Sequence, residues 1–132
     1  MLESLLNCRK DNTFIDTALP WFFSSDFLAN SGNISAFKQA LIDNPYPQSV
    51  MDQERQFNAI LPFDSRQWLH QIAAPTMVIS AMEDIIASPE DRMELAPGIA
   101  NSQFITIPGA HSSPVEQLVK VNQLIEQFSF NI

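Results

Sequence analysis

The pattern of apolar and polar positions changes character near Pro75. Upstream of it, apolar residues recur at helical intervals. In the segment Asn33 to Asp43 they fall at Ile34, Phe37, Leu41 and Ile42, the three- and four-residue steps that line one side of a helix. Asn44-Pro45-Tyr46-Pro47 ends this segment, because a proline disfavours helical geometry in the residue before it. A second helix is expected from Gln48 to Ile60. A third is expected from Ser65 to Ile72, with Asp64 placed to cap it. Before them, Phe14 to Leu28 is dense in aromatic residues, with Trp21, Phe22, Phe23 and Phe27.

Downstream, two short apolar runs replace the helical spacing. Thr76-Met77-Val78-Ile79-Ser80 and Gln103-Phe104-Ile105-Thr106-Ile107 are each bounded by turn residues. Such runs suit strands covered on both faces, as in a parallel sheet. Between them a helix is well marked. Ser88 is its expected N-cap, Pro89 fits the first helical position, and Asp91 suits the first turn. Pro97-Gly98 is its expected end. After the second strand the same grammar recurs, with Ser113 as cap, Pro114 next and Glu116 three residues past the cap. The final helix places Leu118, Val119, Asn122, Ile125 and Phe128 along one side.

The order is therefore helices over residues 1–74, then strand–helix–strand–helix over 75–132. The connecting helix makes the two strands parallel. Two parallel strands are a poor sheet by themselves, since they need neighbours and cover. The edge at Thr76–Ser80 would then expose backbone groups able to recruit another chain.

Composition narrows the class. The 132 residues carry a formal charge of −8, from 15 acidic and 7 basic side chains, and 45% are hydrophobic. The basic residues are scattered, so the clustered positive charge of a nucleic-acid surface is absent. No apolar stretch reaches the roughly 20 residues that span a bilayer. Met1 to Asp11 lacks the basic start and apolar run of a secretory signal. Cys8 has no partner for a disulfide and no metal-ligand spacing around it. A cytoplasmic protein is expected, with no metal or organic cofactor and with neither nucleic acid nor membrane as a partner.

Candidate chemistry gathers after the two strands. Ligands and catalytic groups of open parallel sheets lie beyond the carboxyl ends of the strands. Asp84 follows the first strand, in Ala81-Met82-Glu83-Asp84-Ile85-Ile86. His111 follows the second, in Pro108-Gly109-Ala110-His111. A carboxylate beside an imidazole can fix its tautomer and stabilise the imidazolium that forms on protonation. Other polar residues have plainer readings. Glu83 is a solvated carboxylate, His70 is a structural residue on the third helix, and Ser113 is a cap rather than a nucleophile. Neither Ser112 nor Cys8 is favoured for chemistry. The aromatic cluster can line an apolar pocket or simply pack against helices.

Pro75 to Ile86 followed by Phe104 to His111 resembles the C-terminal end of the α/β-hydrolase fold. There an acid follows one late strand and a histidine the next, in the chain order Ser…Asp/Glu…His. The resemblance covers Pro75 to Phe128 well. The helical first half resembles the cap that many members insert before these strands. The surroundings of Trp21-Phe22-Phe23-Ser24 and Phe63-Asp64-Ser65-Arg66 are most similar to small ester and lactone hydrolases such as 3-oxoadipate enol-lactonases. The resemblance implies an incomplete α/β fold, with a cap segment at 1–74 and the last strands and helices of the core at 75–132. It implies Asp84 as triad acid, His111 as general base, and Trp21 and Phe22 against a small apolar ester or lactone. The family's serine sits on a Gly-x-Ser-x-Gly turn, and Gly32, Gly98 and Gly109 form no such motif. The family loop Pro-Gly-x-Gly-His is one residue shorter here. These features imply a hydrolase fragment inactive by itself. In the family an earlier strand flanks the first of these two strands, so the resemblance also implies that the Thr76–Ser80 edge pairs in a homodimer or with the missing N-terminal fragment. The alternative is a non-catalytic binding or assembly module of hydrolase descent.

Overall fold

The computed structural model describes residues 14–130; Cys8 and the segment read for a signal lie outside them. Two compact units are present. One comprises residues 14–20 and Ser25–Phe63, the other Trp21–Ser24 and 64–130.

The first unit is helical. Helix α1 is Phe14–Phe22, its last two residues belonging with the second unit. Helices α2 (Ser25–Ala29), α3 (Ser31–Ile42) and α4 (Val50–Ile60) follow. Asn30 caps α3, its side chain accepting from the Gly32 N–H. Ser49 caps α4, accepting from the Asp52 N–H. Both caps satisfy an amide that the helix itself leaves unpaired. Ile42, Tyr46, Leu61 and Phe63 are exposed.

The second unit contains the sheet. Strand β1 (Thr76–Ala81) and strand β2 (Ser102–Ile107) pair in parallel, in register from Thr76 opposite Ser102 to Ala81 opposite Ile107. Helix α5 (Pro89–Gly98) connects them. It begins as expected, with the Ser88 hydroxyl accepting from the Asp91 N–H and Pro89 opening the first turn. Helices α6 (Ser113–Glu116) and α7 (Leu118–Ser129) complete the chain.

Strand alternation sends successive side chains to opposite faces. Met77, Ile79, Ile105 and Ile107 share one face and pack with Val121 and Leu124 of α7. Ile107, 1% exposed, is its most enclosed member, and burying such a side chain contributes about 1.5–3 kcal/mol. The opposite face, carrying Ser80 and Phe104, meets α5.

Five expectations need correction. Residues 65–72 form no α-helix; only Leu69–Gln71 makes a 3₁₀ turn. Asp64 does not cap a helix, because its carboxylate accepts from the Arg66 N–H at 3.0 Å and from the Arg66 guanidinium at 2.9 and 2.6 Å. So short a segment also gains too few helical bonds to repay nucleation. Ser113 is not the cap of the next helix: Ser112 holds that position, and Ser113 is buried. A break at Gln117 then separates α6 from α7. The apolar side Leu118, Val119 and Ile125 of α7 is exposed, Val119 to 70%, while Val121 and Leu124 turn inward. Finally, the strands are not covered on both faces, for Gln103, Phe104 and Thr106 are exposed. Among the described residues the sheet has two strands, and two strands offer too few neighbours to enclose either one.

Candidate active site

The common register of β1 and β2 delivers two loops to the same end of the sheet. The ladder runs slightly past the strands, with the Met82 N–H donating to Ile107 O at 3.0 Å and the Glu83 N–H to Gly109 O at 2.9 Å. These bonds hold the acid-bearing loop against the histidine-bearing one. Gly109 sits between them with φ +104°, a conformation an L side chain rarely adopts.

Asp84 and His111 meet across this junction. His111 Nδ1 lies 3.1 Å from Oδ2 of Asp84 and 3.3 Å from Oδ1. Oδ1 also accepts from the Ile86 N–H at 2.9 Å and the Ala87 N–H at 3.1 Å. Burial pushes the Asp84 carboxyl up, but the Ala87 and Ile86 amides and His111 outweigh it and bring the group below its ordinary value. Asp84 is therefore ionised near neutrality and can only accept hydrogen bonds. The ring nitrogen facing it must donate, so neutral His111 carries its proton on Nδ1 and a lone pair on Nε2. The Asp84 side chain is 11% exposed and that of His111 40%. The acid is thus enclosed while the ring remains accessible.

Neighbouring residues hold each partner. Arg92 on α5 donates Nη1 to Ser80 Oγ at 3.0 Å and to the Ala81 carbonyl, and Nε to Ser88 O at 3.3 Å. It ties the end of β1 to the start of α5, on either side of the Asp84 loop. Phe22 presents its ring edgewise to His111, with centroids 5.5 Å apart and planes at 72°. The Phe22 carbonyl accepts from the Ser112 N–H at 2.7 Å. Trp21 is half-buried beside it in the chain. His70 is exposed in the 3₁₀ turn, and Glu83 is exposed next to Asp84.

Two contributors were not singled out from the sequence. Arg92 lies four residues after Ser88, a spacing that places it one helical turn beyond the cap. Glu116 reads as a capping-box acid by its distance from Ser113. Instead its carboxylate accepts from the Ala110 N–H at 3.0 Å, the Ser24 N–H at 3.1 Å and the Ser24 hydroxyl. Among the described residues no group of three or more potential metal ligands gathers, and no helix is long and apolar enough to cross a membrane. An open apolar groove of about 570 Å³, lined in part by Met93, Pro97, Ile99 and Phe104, involves neither Asp84 nor His111.

No protein-family model and no curated protein matches the sequence. Solved structures do match. The enol-lactonase from Burkholderia xenovorans LB400 is similar over 98% of this chain and 50% of its own, with a TM-score of 0.82 and 20% identity. An alpha/beta hydrolase enzyme from a Medee basin deep-sea metagenome library is similar over 96% of this chain and 48% of its own, with a TM-score of 0.80 and 19% identity. The chain has part of the α/β-hydrolase fold. A thermophilic esterase from Thermogutta terrifontis matches the same fold over 98% of this chain and 48% of its own, with a TM-score of 0.73 and 22% identity. The chain spans about half the length of these structures, and its small parallel sheet between helices is the corresponding portion of the α/β-hydrolase fold.

Proposed function

We propose that Asp84 and His111 are the acid and the general base of a serine hydrolase acting on a carboxylic ester or lactone. The observation that carries this reading is the 3.1 Å approach of His111 Nδ1 to a largely enclosed Asp84 carboxylate. On this reading Asp84 holds Nδ1–H and leaves the Nε2 lone pair free to take a proton from an attacking hydroxyl. The carboxylate then stabilises the imidazolium, which returns the proton to the leaving alkoxide. Phe22 against the imidazole and Trp21 beside it supply apolar wall for a small ester or lactone. Residues 1–74 act as the cap and 75–132 as the core portion, in a cytoplasmic protein.

The Gly-x-Ser-x-Gly turn does not occur in this sequence. The nucleophile and oxyanion hole therefore come from another polypeptide segment, and the chain by itself is inactive, because those groups supply most of the rate enhancement in such chemistry. The edge of β1 is the place of pairing, whether with a second copy or with an N-terminal fragment. This open edge also favours a second reading, a non-catalytic assembly module that keeps the paired residues as a remnant.

Hydrolysis of short-chain nitrophenyl esters distinguishes the two. The chain alone should show no turnover above background. Mixing with a fragment bearing the serine turn should restore turnover that Asp84→Asn or His111→Gln abolishes. A complex that forms without any activity would favour the module, and turnover by the chain alone that requires both residues would refute the need for an outside nucleophile.

A further inference from the structure

We infer that Glu116 is a positioning residue for His111, acting as a carboxylate clamp that joins the histidine loop to the end of α1. The inference rests on the reading of Asp84 and His111 as a working pair. Oε1 of Glu116 accepts from the Ala110 N–H at 3.0 Å and the Ser24 N–H at 3.1 Å, and Oε2 accepts from the Ser24 hydroxyl. Ser24 is buried and Glu116 half-buried. One side chain thus grips the backbone immediately before His111 and the backbone two residues after Phe22.

The other side of His111 is fixed by the same pair of segments. The Ser112 N–H donates to the Phe22 carbonyl at 2.7 Å, and the Phe22 ring lies edgewise against the imidazole. The amides flanking His111 are therefore both anchored, one on Glu116 directly and one on a segment that Glu116 holds through Ser24. Gly109 lies beside the clamp, with its φ of +104° fixing the turn into Ala110. A carboxylate suits this place because three donors converge on it and it only accepts. A neutral amide has one acceptor oxygen and would turn its NH₂ toward a donor. Glu116 bonds to the Ala110 amide and so acts through the loop, setting the angle at which Nδ1 meets Asp84.

The test reads the ring itself. With ¹⁵N-labelled histidine in the full chain, long-range proton–nitrogen spectra distinguish Nδ1–H from Nε2–H tautomers, and His70→Gln assigns the two histidines. Wild type at a pH where the ring is neutral should show His111 as the Nδ1–H form, and Asp84→Asn should remove that signature. Glu116→Ala should shift His111 toward the tautomer mixture of a free imidazole while backbone amides of β1 and α5 keep their positions. Glu116→Gln and Ser24→Ala, which remove one or two bonds each, should give a smaller shift and carry the test if Glu116→Ala does not fold. Glu116→Asp should recover less than the full signature, being one methylene short. If Asp84→Asn changes the ring and the Glu116 and Ser24 variants do not, the clamp is refuted and the pair stands. If Asp84→Asn leaves the ring unchanged, the pair is refuted, and the clamp with it.

Discussion

Asp84 offers the most direct measurement of what holds the acid loop. Alanine at this position removes the acceptor for the Ile86 and Ala87 amides, at 2.9 and 3.1 Å, and for His111 Nδ1 at 3.1 Å. Hydrogen bonds to a charged group contribute about 1.5–3 kcal/mol each when enclosed. Here Ile86 and Ala87 are half-buried and His111 is 40% exposed, so water replaces part of every bond. The sum for Asp84→Ala is then about 3 kcal/mol, about 1 kcal/mol per bond and below the enclosed range. Asp84→Asn keeps an oxygen for the two amides as neutral bonds and loses only the charge and the His111 link, a deficit of about 1 kcal/mol. Equilibrium urea unfolding should show midpoints in the order wild type, Asn, Ala with unchanged slopes. The pH dependence has a definite sign. The folded carboxyl titrates below its ordinary value, so its stabilisation is complete above the unfolded pKa and disappears as pH falls through the folded one. Wild type and Asp84→Asn should converge at acid pH. Equal midpoints for the Ala and Asn variants, or a gap that grows on acidification, would refute this account of the loop.

Other predictions concern the surroundings. At Gly98 an added Cβ would lie 2.7 Å from Leu69 Cδ1 and 3.0 Å from its Cβ, and Leu69 is buried; Gly98→Ala should destabilise by about 1–3 kcal/mol in thermal unfolding, and a neutral result would mean that Leu69 shifts freely. Asp64 is held down to about 2, first by its side-chain bond to Arg66 and then by the Arg66 N–H. Carboxyl ¹³C titration should follow that value, and Arg66→Gln should raise it toward the ordinary range. An unchanged titration in Arg66→Gln would remove the ion pair as the cause.

The parts legible in the sequence were those whose signals are local. Ser88-Pro89 with Asp91 states a helix start in four residues, and the apolar runs around Val78 and Ile105 state the strands. The meeting of Asp84 and His111 could be expected because each follows its strand by a few residues and the connecting helix forces both to one end. Where local signals compete, the reading failed. Asp64 ahead of Ser65 and Arg66 has the form of a cap, yet the guanidinium two residues on takes the carboxylate. Ser112 and Ser113 are adjacent and chemically alike, so spacing alone did not separate cap from buried neighbour. The apolar positions of α7 outnumber the space available on a two-stranded sheet, and packing selected Val121 and Leu124 over Leu118, Val119 and Ile125. Glu116 was hidden for another reason: its partner Ser24 is remote in the chain, and no periodicity reports a contact of that kind.

That remoteness bears on the order in which the molecule assembles. Asp84 and His111 are separated by 27 residues, within one strand–helix–strand unit, whereas Ser24 and Glu116 are separated by 92. Closing the longer loop costs about 1 kcal/mol more entropy than closing the shorter, and it returns only a few hydrogen bonds. Refolding should therefore protect the Met82 and Glu83 amides, which pair across the strand ends, before those of Ser24, Ala110 and Ser112, and pulsed hydrogen exchange reads that sequence; simultaneous protection would contradict it. The Asp84–His111 contact then forms early and cheaply, while its final alignment is a late step.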